Sequence, residues 1–199
     1  MIISQSNKKL MLDRIKQFFR DALRPFAKKI VGVNPNTLTL LGLLISIAAG
    51  IFFAMRDVLA AGFLLLLSGL FDALDGAVAR ENGRTTRFGG FLDSVCDRFA
   101  DAAVLIGAMY GDLTAFQDFP GWLLGSLALV GSLMVSYTRA RAEAAGATAS
   151  VGVGERAVRM IILIFGAFLN MVNLAVLLIT IVSFITVFQR IAYVRGTLK

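Results

Sequence analysis

Five aspartates, Asp72, Asp75, Asp93, Asp97 and Asp101, stand inside two long apolar stretches of the chain. A carboxylate near the centre of a membrane helix costs about 2.5–3.5 kcal/mol, so five in adjacent segments need a compensating partner. Their spacing narrows what that partner is. Asp72 and Asp75 are three residues apart and Asp93 and Asp97 four, so each pair shares one helix face. The short link from Arg80 to Phe88 makes the two helices antiparallel neighbours and brings both pairs to similar depth. Four clustered carboxylates cannot all ionise without cations, because each charge opposes the ionisation of the next. Hard divalent ions bound through oxygen relieve that repulsion, and Mg²⁺ also takes phosphate oxygens as ligands. Two such ions about 3.5–4 Å apart form a clamp for phosphoryl displacement. Buried acids paired with arginines, or lining a proton or cation pathway, fit the same spacing. Arg80 and Arg98 could neutralise only part of the cluster. Histidine is absent and Cys96 is the only cysteine, which removes imidazole as a base and makes a zinc site untenable.

The elements that must position these acids are apolar helices. Of 199 residues 57% are hydrophobic and only 17% charged, where a soluble domain carries about a quarter charged. Six apolar segments fall at roughly 37–55, 58–79, 89–110, 122–142, 157–171 and 174–194. Several approach the roughly 20 residues that a spanning helix needs. The expected fold is an all-α integral membrane protein of six transmembrane helices, with no strands. A net charge of +7 does not mark a nucleic-acid surface, because the positive residues sit between apolar runs. If six helices alternate, 18 of the 20 Lys and Arg fall on one side of the bilayer, which puts both termini and the acids' end of the bundle in the cytoplasm. Residues 9–30 keep helical apolar spacing beside Arg20, Arg24 and Lys28, and read as an interfacial amphipathic helix. The chain divides into a leader, 1–33, and a six-helix domain, 34–199. Asn36 is a candidate cap for the first span.

The aspartates also carry a resemblance. Asp72, Asp75, Gly76, Ala79 and Arg80, followed by Gly89, Asp93 and Asp97, fill all eight fixed positions of D-x-x-D-G-x-x-A-R-x₈-G-x-x-x-D-x-x-x-D. That pattern is similar to the signature of the CDP-alcohol phosphotransferase family. The resemblance implies an enzyme rather than an ion-coupled transporter, one that joins a CDP-lipid to a hydroxyl-bearing acceptor and releases CMP. It implies Asp72, Asp75, Asp93 and Asp97 as ligands of Mg²⁺ or Mn²⁺, two ions in all, with Asp97 also the general base. The CDP group would meet Pro35, Asn36, Thr37, Leu38, Gly76, Ala79, Arg80 and Thr86. The resemblance also implies a homodimer.

The second half bears on the acceptor. Ser136-Tyr137-Thr138-Arg139-Ala140-Arg141-Ala142-Glu143, then Glu155-Arg156-Ala157-Val158-Arg159, then Gln189-Arg190, resemble the inositol-phosphate branch of that family. The resemblance implies that Arg139, Arg159 and Arg190 bind the phosphate of an inositol phosphate. Arg139 stands where the branch carries lysine, which keeps the charge but alters reach and donor geometry. Val158 stands where it carries a second glutamate. Glycerol 3-phosphate is the rival acceptor, and the arginines also read as positive-inside anchors. The lipid is CDP-diacylglycerol or CDP-archaeol, since apolar tails leave only an apolar groove to read.

Overall fold

The computed structural model describes residues 32–81, 83–149 and 151–198. The amphipathic helix expected over residues 9–30 lies outside them. The described residues form six helices: α1 Pro35–Ala54, α2 Val58–Glu81, α3 Arg87–Tyr110, α4 Gly121–Ala144, α5 Arg156–Phe168 and α6 Val172–Thr197. Among them β-structure is limited to one isolated bridge, between Phe116 and Phe119 in the α3–α4 link.

Polar residues set the helix starts that matter for the site. The Asn34 side chain accepts from the Asn36 amide at 3.0 Å, with Pro35 in the first turn, so Asn34 is the cap and the assignment to Asn36 is corrected. The Asn36 side chain is thereby left to face the start of α3, where a Cβ on Gly89 would lie 3.3 Å from its oxygen. Thr86 caps α3 by accepting from the Gly89 amide at 2.9 Å.

Four helices, α1, α2, α4 and α6, are long and apolar enough to cross a membrane, and the chain is a multi-pass membrane protein. The expectation of six comparable spans is met only in part. α3 is long, but Arg87, Asp93, Asp97, Arg98 and Asp101 interrupt its apolar run. α5 has 13 residues and rises only about 20 Å.

α1 packs on α2 and α3, α2 on α5, α3 on α4, and α6 on both α4 and α5. Lipid tails are as apolar as leucine, so close packing rather than hydrophobic burial must hold such helices together. Glycines allow it. A Cβ on Gly107 would collide with the Gly50 carbonyl, one on Gly111 with that of Phe53, and one on Gly50 would come 2.5 Å from the Ala103 oxygen. α1 and α3 therefore meet backbone to backbone. Small side chains fill the shared core, among them Ala49, Ala61, Ala108, Ala128 and Ala167, while Leu44, Phe63 and Phe165 face outward. Alternation of the six helices brings the starts of α1, α3 and α5 and the ends of α2, α4 and α6 to one end of the bundle, where the polar pockets lie.

Candidate active site

Asp72 from α2 and Asp93 and Asp97 from α3 each present one carboxylate oxygen, all within 4.8 Å of one another. Three hard oxygen donors with no nitrogen or sulfur among them suit Mg²⁺ or Mn²⁺ and not a softer metal. Asp75 does not join this trio. It is 7% exposed, and its Oδ2 accepts from the Thr39 hydroxyl of α1 at 2.6 Å. Thr39 was not expected at the site; its signal was a hydroxyl within an apolar span, one turn past Pro35.

The charge that balances the acids comes mainly from Arg156, at the start of α5. Its Nη1 lies 3.1 Å from Asp72 Oδ1 and 3.0 Å from Asp97 Oδ1, and its Nε lies 3.5 Å from Asp101 Oδ1. The sequence motif that contains Arg156 gives it no role beside the acids, for whose neutralisation the sequence points to Arg80 and Arg98. Arg98 reaches Asp97 at 3.4 Å but makes its shorter bond, 2.6 Å, to the Ser94 carbonyl. Arg80 turns elsewhere: its guanidinium lies over Gly76, where a Cβ would approach Nη1 to 3.2 Å.

A pocket of ≈ 200 Å³ opens beside the trio. Pro35, Asn36, Gly76, Ala79, Arg80 and Thr86 line it, six of the eight residues expected to meet the CDP group, together with Asp75 and Asp93. Thr39, Arg84, Thr85 and Gly89 line it without having been anticipated. Thr37 and Leu38 do not. Thr37 is exposed on the first turn of α1, and Leu38 packs behind the wall against Ala77 and Val78.

On the other side of the carboxylates lies a cleft of ≈ 420 Å³ lined by Asp93, Asp97, Arg98, Arg139, Arg156, Arg159 and Arg190. It brings together the three arginines singled out in the sequence, from three helices. Arg139 is exposed and its Nε donates to Glu143 Oε1 at 3.0 Å. Arg159 is 4% exposed and donates to the Gly154 carbonyl and to Asp101 Oδ2, both at 2.7 Å. Arg190 is 1% exposed and donates to the Val151 carbonyl at 2.9 Å and to that of Val135. An arginine that served only to orient helices would stay solvated; these two are held in place by backbone carbonyls. Asp93 borders both the pocket and the cleft, so the two spaces meet at the carboxylates.

The family described as CDP-alcohol phosphatidyltransferase matches residues 32–188, a span that contains every one of these carboxylates. Archaetidylinositol phosphate synthase of Pyrococcus horikoshii is 40% identical over 192 residues, 95% of this chain and 99% of the relative. The crystal structure of Mycobacterium tuberculosis phosphatidylinositol phosphate synthase with CDP-DAG bound is 35% identical with a TM-score of 0.77, over 86% of this chain and 92% of that one. The same enzyme in complex with manganese and citrate gives a TM-score of 0.78 at 35% identity, over 86% of this chain and 88% of that one. Signature, helix order and near full-length likeness agree, and the chain is therefore an enzyme of the CDP-alcohol phosphatidyltransferase family rather than an ion-coupled transporter.

Proposed function

We propose that this enzyme transfers the lipid-bearing phosphate group of a CDP-lipid to an inositol phosphate and releases CMP. The observation that carries the acceptor is the cleft in which Arg139, Arg159 and Arg190 converge beside Asp93 and Asp97. A neutral alcohol would leave the positive charge of the three guanidinium groups at the cleft without an anion to meet it, whereas a phosphate offers charge-assisted acceptors for their remaining donors. The names of the Pyrococcus and Mycobacterium relatives support the same acceptor.

The residues divide the work. In the smaller pocket Arg80 meets the donor pyrophosphate, with Arg84 beside it, and Gly76 leaves room for close approach. Asp72, Asp93 and Asp97 would hold the divalent ion, with Asp75 placed one turn away for a second; the manganese complex of the Mycobacterium enzyme supports that chemistry. When bound, such ions neutralise the pyrophosphate and stabilise the departing CMP. Asp97 borders the acceptor cleft and Asp75 does not, which favours Asp97 as the group that takes the proton of the acceptor hydroxyl. The freed oxygen attacks the lipid-bearing phosphorus, and the P–O bond to CMP breaks as the new one forms. The positive-charge distribution favours a cytoplasmic cleft.

The test is release of CMP by purified protein from CDP-diacylglycerol and, separately, CDP-archaeol, against a panel of inositol 1-phosphate, glycerol 3-phosphate, serine and inositol. The reading requires the highest kcat/KM with inositol 1-phosphate. A higher value with glycerol 3-phosphate would overturn it.

A further inference from the structure

Asp101 is the one acid of the five that the family signature does not include and that the reaction above leaves without a task. It lies one turn beyond Asp97 on α3, and both of its oxygens face α5. Oδ2 accepts from Arg159 Nη2 at 2.7 Å, and Oδ1 stands 3.5 Å from Arg156 Nε. Arg159 has one other tie, from Nη1 to the Gly154 carbonyl at 2.7 Å. Two directional bonds from different nitrogens fix the plane of a guanidinium. The third nitrogen, Nε, is buried with no hydrogen-bond partner among the described residues. A buried donor without a partner calls for an explanation, and here the residue borders a cleft suited to an anion. Behind the pair the bundle leaves only ≈ 30 Å³, room for about one water, so Arg159 cannot withdraw inward while Asp101 is present.

We propose that Asp101 is a positioning residue: it holds the Arg159 guanidinium from behind, in the orientation that presents its remaining donors to the acceptor phosphate. The inference rests on the acceptor reading above and adds a link between the helix that carries the reacting carboxylates and the helix that grips the acceptor. The competing role, mere neutralisation of a buried arginine, predicts an effect of opposite sign. Removing a carboxylate beside an anion site strengthens anion binding by charge alone, whereas loss of orientation weakens it. Orientation prevails because a charge-assisted bond to phosphate depends on donor geometry, while the charge of Asp101 is already compensated by Arg159 and Arg156.

The experiment is steady-state kinetics of the purified full chain with inositol 1-phosphate varied at saturating CDP-diacylglycerol. Asp101→Ala, which removes the support and enlarges the space behind it, raises the acceptor KM by about tenfold or more. It leaves the KM for CDP-diacylglycerol and the Mn²⁺ affinity, read by calorimetry, unchanged. Asp101→Asn keeps one oxygen for Nη2 and gives a smaller rise. In an Arg159→Gln background, Asp101→Ala adds less than about twofold, because the two act through one group. An acceptor KM that falls or stays constant in Asp101→Ala overturns the proposal, as does a full multiplicative effect in the double variant. Where Asp101→Ala does not fold, Asp101→Asn and the double variant, which leaves no unpaired charge, decide by the same criteria. If Arg159→Gln alone leaves the acceptor KM untouched, the acceptor reading fails and this inference with it. If Arg159→Gln raises it and Asp101→Asn does not, only the inference fails.

Discussion

Around Gly50, Gly107 and Gly111, α3 touches α1 through bare backbone, whereas at the other end of the same helix Asp97 and Asp101 meet the arginines of α5 through opposite charges. The apolar end has no partner to exchange: its contacts are close, dry and spent on packing. The polar end is built from groups that also bind ligands, and it keeps unspent hydrogen-bonding capacity at the Nε atoms of Arg156 and Arg159. Such a site would sag if it had to hold the helices together as well. The lesson is a division of labour along one helix, with rigidity supplied where no chemistry happens.

Five perturbations would break or sharpen that contrast, and the largest falls on the carboxylates. Asp97→Asn should lower kcat by about 10²–10⁴-fold while retaining CDP-lipid binding better than Asp72→Asn does. Equal loss of nucleotide binding in the two variants would leave Asp97 without its special role. Chelation belongs with this test, since full turnover by metal-free protein would remove the case for the acidic trio.

At the packed end, Gly107→Val forces two backbones apart and should cost more than the roughly 1–3 kcal/mol of ordinary overpacking. Thermal melting in detergent measures it, with the KM values of whatever protein remains folded unchanged. Melting like that of the parent would show that the α1–α3 contact is not what holds this end. A smaller change is expected from Arg159→Ala: one charge-assisted grip lost, an acceptor KM up by about tenfold, and CDP-lipid binding nearly unaltered. Equal weakening of both substrates would reduce the arginines to anchors. Arg139→Lys should be milder still. Least of all, Arg56→Ala removes an exposed pair with Asp112 at 3.8 Å, together with a bond to the Gly111 carbonyl, and should shift stability by less than about 1 kcal/mol in equilibrium unfolding.

The acids were legible in the sequence because a carboxylate inside an apolar run is an anomaly, and helical spacing then fixes which face it takes. That reasoning found Asp72, Asp93 and Asp97, but it could not separate Asp75, whose position depends on a hydroxyl 36 residues away in another helix. Arg156 was missed for a different cause. Arginines at helix ends both orient a membrane protein and serve its site, and their place in the sequence is the same in either case. Only the packing of α5 on α2 distinguishes them. Leu38 is the reverse case: the resemblance places it with Pro35, Asn36 and Thr37 at the CDP group, whereas its side chain packs against Ala77 and Val78. At Asn34 and Asn36 two residues of equal capping ability compete, and Pro35 between them, preferring the first helical position, decides for Asn34.

The 13-residue α5 has a consequence for where the two substrates meet. A helix of about 20 Å cannot cross a hydrocarbon layer of about 30 Å, and the non-helical segment before it tucks Ala147, Ala149 and Gly154 into the protein. Irregular backbone is tolerated at membrane depth where it is enclosed by protein or lines a wet cavity. The start of the short helix thus lines, with Glu155, Arg156 and Arg159, an open cleft that reaches the carboxylates. A sugar phosphate reaches them without shedding its hydration for oil, while the lipid arrives sideways without leaving oil for water. The enzyme joins a solute to a component of the bilayer where a polar cleft opens among apolar helices.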